Sequence, residues 1–245
     1  MNSIGQNEVG AYFFPQATSI KNIHSPDNTE IYDTKTTFSG GFGVNYIHFF
    51  NDKYDYKNLH HKIGVRTDLM YSAHNQKFKS VWKPYPNSED YEVNGKKRLD
   101  YLKLAINLEY FHPWTRRLSY MFYGGPQVSY LLKSDGGIVT WRDRDDNDYL
   151  YFDLPHADND YFKKFTLDLV FGAGFDYELN KFVNFSCSAR LDFNLTVMDN
   201  PDVVVNEYPH YHSSLDRRGS RNASLALLLG LEYTLHYAHH AKTRY

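Results

Sequence analysis

Apolar and polar residues alternate with period two along several stretches of ten or more positions, which predicts strands. The clearest run is Phe185–Val197. Phe185, Cys187, Ala189, Leu191, Phe193, Leu195 and Val197 share one face, and Ser186, Ser188, Arg190, Asp192, Asn194 and Thr196 share the other. Phe165–Glu178 sets Leu167, Leu169, Phe171 and Phe175 against Thr166, Asp168, Gly172, Gly174 and Asp176. Ala223–Tyr237 sets Leu225, Leu227, Leu229, Leu231 and Tyr233 against Ser224, Gly230, Glu232 and Thr234. Leu102–Tyr110 sets Leu104, Ile106 and Leu108 against Lys103, Asn107 and Glu109. Ile63–Ala73, Leu118–Leu132 and the glycine-rich Thr36–Phe50 alternate less strictly, and Val9–Ile20 carries Pro15 in its middle. An ordinary strand runs about five or six residues, whereas a tilted membrane strand needs about nine to eleven.

Eight such runs predict an all-β fold, an eight-stranded antiparallel up-and-down transmembrane β-barrel occupying residues 1–245 as one domain. The connections agree with this. Asn22–Lys35, Lys79–Lys97, Ser134–Tyr161 and Asn200–Arg221 are expected as long external loops. Pro113–Arg117 and Leu179–Phe182 are expected as short periplasmic turns, and Asn51–His61 is a longer one on the same side. Outer-membrane barrels carry this asymmetry.

Composition narrows the choice. The mean hydropathy is −0.61. No window offers the roughly 18 consecutive apolar residues of a membrane helix. The 22 Tyr, 17 Phe and 3 Trp make up 17% of the chain, as suits pleated sheets and membrane interfaces. Tyr46, Tyr110, Trp114, Tyr177, Phe182, Tyr233 and Tyr237 fall at the expected periplasmic strand ends, and Phe38, Tyr101, Tyr130, Trp141 and Phe165 at or near the others. A net charge of −2 gives no steering toward nucleic acid. Cys187 is the single cysteine, so no internal disulfide forms. Residues Met1–Gln6 have neither a charged nor an apolar leader region, so an exported protein would appear here in a mature or engineered form, the alternative being a cytoplasmic protein.

If the apolar face meets lipid, parity points Leu169, Cys187, Leu191, Leu227 and Leu229 at the membrane. It points Arg66, Asp68, Lys103, Glu109, Asp168, Asp176, Arg190, Asp192 and Glu232 into the lumen, together with Lys62. An eight-stranded interior is just wide enough for side chains. Unpaired charges there would cost several kcal/mol each, so these groups are expected to pair across it. Gly64, Gly172, Gly174 and Gly230 leave room for the longer ones.

The strands Tyr101-Leu-Lys-Leu-Ala-Ile-Asn-Leu-Glu-Tyr110, Gly124-Gly-Pro-Gln-Val-Ser-Tyr130, Gly172-Ala-Gly-Phe-Asp-Tyr177 and Leu229-Gly-Leu-Glu-Tyr233 resemble the PorT-like outer-membrane β-barrel family of Gram-negative bacteria that use type IX secretion. The resemblance runs from about Val9 to Tyr237 in loose strand patterns. It implies an outer-membrane address and an eight-stranded barrel, and it carries over no functional residues.

Candidate chemistry is sparse. Asp143, Asp145 and Asn147 begin a calcium-loop pattern, but Asp148 replaces its glycine and Leu154 its closing glutamate. His210 and His212 lack a third metal ligand nearby, and His236, His239, His240 and the His60-His61 pair collect toward the periplasmic rim. A lipid-modifying enzyme would need a serine and a histidine on a rigid wall, and His212-Ser213 falls in a loop. The expectation is therefore a non-enzymatic outer-membrane protein without a cofactor. Its surroundings would be outer-membrane lipid and lipopolysaccharide, with a protein partner at turn 51–61 or the external loops. Its role would be structural or accessory, in envelope assembly or secretion. The competing class is a soluble lipocalin-like barrel, with the same alternation and its apolar face inward.

Overall fold

The structure is a computed structural model, and it describes residues 6–21, 33–50, 61–82, 91–115, 117–136, 138–143, 149–153, 162–198 and 221–235. Those residues form strands and turns, and no helix occurs among them. Eight strands make the barrel: β1 (Asn7–Lys21), β3 (Thr37–Phe49), β4 (Lys62–Trp82), β5 (Tyr91–Pro113), β6 (Leu118–Gly136), β9 (Phe165–Glu178), β10 (Val183–Asn194) and β11 (Arg221–Thr234). Each pairs antiparallel with its neighbours in chain order, and β1 with β11 closes the ring. Closure leaves the barrel no unpaired edge, which a structure surrounded by lipid requires.

The two short turns are held by their own side chains. Asn180 Oδ1 accepts from the backbone N–H groups of Phe182 and Val183 at 2.9 and 3.1 Å, and Thr115 Oγ1 accepts from those of Arg117 and Leu118. Such Asx and Ser/Thr turns are local chemistry. Pro15 fits because the β1–β11 ladder skips Phe14 and Pro15, while the β1–β3 ladder runs through both. The missing N–H therefore interrupts one side only.

Three of the expected external loops, Asn22–Lys35, Lys79–Lys97 and Ser134–Tyr161, contain strand. The β4–β5 ladder continues to Trp82 opposite Tyr91, so residues 79–82 and 91–97 of the expected loop Lys79–Lys97 are paired. The segment expected as a loop at Ser134–Tyr161 contributes β7 (Ile138–Asp143) and β8 (Tyr149–Asp153), and β2 (Asp33–Lys35) pairs with β4. Strands of 21 and 23 residues are about twice what a bilayer needs. Beyond the barrel wall they carry a five-stranded sheet in the order β2-β4-β5-β7-β8. Period-two alternation weakens in these polar extensions, which is why they read as loops.

Candidate functional site: a charged lumen and an apolar outer wall

Alternation along every barrel strand separates two environments. Outside, Phe42, Leu104, Ile106, Leu108, Phe171, Leu225 and Leu231 are exposed, Leu108 by 61%. Leu227 is exposed beside them, and Leu169, Cys187, Leu191 and Leu229 are half-buried on the same outer wall. A continuous apolar belt of this kind far exceeds what a protein in water leaves uncovered. A soluble lipocalin-like barrel would have this face inward; the structure has it outward, which overturns that alternative.

Tyr46, Tyr110, Trp114, Tyr177, Phe182 and Tyr233 lie exposed at the short-turn end, and Phe38, Tyr130 and Phe165 at the opposite end. Tyr101 departs from this pattern. It is 3% exposed and packs inside against Leu99, Leu131 and Met198, because its odd position shares the inward parity of Lys103 rather than the outward parity of Leu102. Tyr237 and the side chain of Trp141 lie outside the described residues.

Inside, Asp68 is the hub. Its Oδ1 accepts from Arg66 Nε at 2.9 Å and from the Tyr12 hydroxyl at 3.3 Å. Its Oδ2 accepts from Asn107 Nδ2 at 2.9 Å and from Arg190 Nη1 at 3.2 Å. Arg66 Nη1 also lies 3.4 Å from Glu109 Oε1 and 3.3 Å from Glu232 Oε1, and Asn45 Nδ2 donates to the same Glu232 oxygen at 2.8 Å. The Arg66 guanidinium stands over the rings of Tyr12 and Tyr123, 5.8 and 5.1 Å from their centroids. Arg190 Nε meets Asp192 Oδ1 at 2.8 Å, and Lys103 Nζ meets Asp192 Oδ2 at 2.9 Å. Gln127 links Arg190 to Asp168, whose Oδ2 also accepts from Ser129.

Arg66, Asp68, Lys103, Glu109, Arg190, Asp192 and Glu232 thus form one connected group, and Asp168 joins through Gln127. Asp176 stands apart toward the short turns, with its Oδ1 unpartnered among the described residues. The network expected from the sequence did not include Tyr12, Asn45, Asn107, Tyr123 and Gln127, although parity sets Asn107 on the polar face with Lys103 and Glu109. The legible signal was glycine: Tyr12 pairs with Gly43 on one side and Gly230 on the other, and Tyr123 pairs with Gly172. A Cβ at Gly172 would sit 2.0 Å from Tyr123 Cζ.

The lumen is also more apolar than an all-polar inner face would give. Ile47, Phe49, Ala105, Phe111, Met121 and Val170 form one buried cluster beside the charges, and Leu99, Tyr101, Leu131 and Met198 form another. Two small cavities lie among the described residues. One of about 50 Å³ near the short turns is lined by Glu8, Lys62, Asp176 and Asn184 among others, and one of about 10 Å³ beyond the network by His74, Lys103, Asp168, Asp192 and Asn222 among others. No residue lines both, and neither approaches the several hundred Å³ of a small-molecule pocket.

The remaining sequence candidates do not assemble. Asp143 is the last residue of β7, and Asp145 and Asn147 lie outside the described residues, as do residues 51–60, His210, His212, Ser213, His236, His239 and His240. Among the described residues no three His, Cys, Asp or Glu side chains are placed to hold a metal ion.

A family match agrees with the architecture. Residues 5–200 match the family described as outer membrane protein beta-barrel domain. No curated protein matches. Similar solved structures include Ail, the attachment invasion locus protein of Yersinia pestis, in complex with the heparin analogue sucrose octasulfate, at 10% identity over 95% of this chain and 100% of that one, with a TM-score of 0.41. Neisserial surface protein A is 10% identical over 94% and 97%, with a TM-score of 0.38. The N-terminal β-barrel domain of Pseudomonas aeruginosa OprF is 12% identical over 94% and 99%, with a TM-score of 0.31. With the closed eight-stranded ring and the apolar outer wall, the family match gives the assignment: this chain belongs to the outer membrane protein beta-barrel family and resides in the outer membrane of a Gram-negative bacterium.

Proposed function

We propose that the protein is a non-enzymatic, non-conducting barrel that acts through its outer surfaces, in a structural or accessory role in envelope assembly or secretion. The observation that carries this reading is the filled lumen. Ion pairs from Arg66 to Glu232 and from Lys103 to Asp192 cross it, and side chains occupy what would otherwise be a pore. The work then falls to what projects from the barrel: the sheet β2-β4-β5-β7-β8 on the external side, the external loops, and turn 51–61 at the periplasmic end. Outer-membrane lipid and lipopolysaccharide are the partners of the apolar wall and its rim.

Purified protein in planar bilayers should show no stable pore, and large steady porin-like conductance would contradict the reading. Replacing Tyr54-Asp55-Tyr56 by Gly-Ser-Gly should leave the barrel folded and reduce the proteins that co-purify from native membranes. An unchanged set removes that turn as the contact.

A further inference from the structure

The outer wall at the short-turn end carries a polar group that the lumen network does not use. His61 immediately precedes β4, and His112 lies near the end of β5. The β4–β5 register pairs Lys62 with Phe111 and Ile63 with Tyr110, so His61 and His112 face each other across the two strands. Both are exposed. Their rings stack with centroids 4.8 Å apart and planes 24° apart, and their Nδ1 atoms are 3.1 Å from each other. Tyr110 places its hydroxyl 2.7 Å from the same His61 Nδ1.

A neutral tautomer can make either of these hydrogen bonds, but the single His61 nitrogen cannot serve both partners independently. A neutral imidazole nitrogen offers one N–H or one lone pair, not both. His61 Nδ1 has two close partners, so one proton or one lone pair is shared between them. A cation at the centre would instead take a lone pair from each atom. Two imidazole nitrogens bound to one tetrahedral zinc ion lie about 3.3 Å apart, given Zn–N distances near 2.0–2.1 Å. The observed 3.1 Å is within a few tenths of that span.

We propose that His61 and His112 chelate one borderline divalent metal ion of the zinc, copper or nickel class through their Nδ1 atoms, with the Tyr110 hydroxyl beside it and water in the open positions. Imidazole donors select these ions over calcium and magnesium, which require oxygen. The ion would clip the ends of β4 and β5 together at the periplasmic interface, next to turn 51–61. No third His, Cys, Asp or Glu is placed with the pair among the described residues, so the site is a surface chelate rather than a closed structural centre.

The test titrates Zn²⁺ and Ni²⁺ into the full chain refolded in detergent micelles, comparing wild type with His61→Asn, His112→Asn and the double variant. Folding of each is confirmed by far-UV circular dichroism and heat-modifiable gel mobility. One site should weaken about tenfold or more in either single variant and no further in the double, because a chelate needs both nitrogens. Equal isotherms for wild type and both single variants overturn the proposal. So do single-variant losses that simply add in the double, since they mark two independent histidines. A further measurement needs no variant: Cu²⁺ added at one equivalent should give an electron paramagnetic resonance spectrum split by two imidazole nitrogens. Splitting by one nitrogen or none overturns the proposal.

Discussion

Arg190 on β10 donates from Nη1 to Asp68 Oδ2 on β4 at 3.2 Å, and these two strands lie diametrically opposite in the eight-stranded ring. One ion pair therefore spans the whole lumen. Asp68 binds Arg66 with its other oxygen, so a single carboxylate neutralises parts of two fully buried guanidinium groups.

This makes Asp68 a sensitive position in the lumen network. Asp68→Ala leaves two buried arginines short of an acceptor, and breaking a buried pair this way costs about 3–5 kcal/mol. Urea unfolding in detergent micelles, followed by tryptophan fluorescence, should show a loss of that size. Replacing both partners with apolar residues, Asp68→Leu with Arg190→Met, should recover only part of it, since Arg66 still loses Asp68 and Asp192 loses Arg190. A single-variant loss under about 1 kcal/mol would remove Asp68 from the centre of the account.

Glu109 should behave differently. Its Oε1 shares Arg66 Nη1 with Glu232, at the long distance of 3.4 Å, and its Oε2 has no hydrogen-bond partner among the described residues. Glu109→Gln removes one of three carboxylates crowding one guanidinium while keeping an acceptor oxygen. The same unfolding assay should register a change within about 1 kcal/mol, of either sign. A loss matching that of Asp68→Ala would mean that the two acids bear equal shares.

Gly172 tests how tightly the lumen is packed. A methyl group there would meet the Tyr123 ring, whose hydroxyl is fixed 3.1 Å from Ser188 Oγ. Gly172→Ala should destabilise by about 1–3 kcal/mol, as overpacking does. Adding Tyr123→Leu should relieve the clash, so that the two changes cost less together than their sum. Strict additivity would show that the ring moves aside freely.

The barrel was legible in the sequence where one face is continuous lipid-side apolar surface. The expected run at Phe165–Glu178 coincides with β9, since Leu167, Leu169 and Phe171 alternate without interruption. The external extensions of β4 and β5 were not legible, because residues such as Lys77, Lys79, Lys96 and Lys97 carry no apolar periodicity and only the ladder reveals the strand. The charged inner residues followed from parity. Their partners did not, because Arg190 and Asp68 are 122 positions apart and which acid meets which base depends on barrel stagger. His61 and His112 were equally invisible as a pair, since their contact is set by the β4–β5 register.

The central claim is an inverted barrel, apolar outside against lipid and filled inside, and neighbouring residues on β10 test it most directly. Cys187 points outward, between Phe175 and Leu229 on the adjacent strands. Ser188 points inward, buried against Gly174 and Tyr123. The protein would be reconstituted in bilayers containing lipids with quenchers at defined acyl depths, then labelled with a small thiol-reactive fluorophore. One sample uses native Cys187, and the other Ser188→Cys in a Cys187→Ala background. The account predicts that Cys187 labels and is strongly quenched by shallow-to-middle acyl quenchers but little by aqueous iodide, while the cysteine at 188 resists labelling. A Cys187 probe that ignores the lipid quenchers, on a protein that stays monomeric in detergent-free buffer, would contradict it.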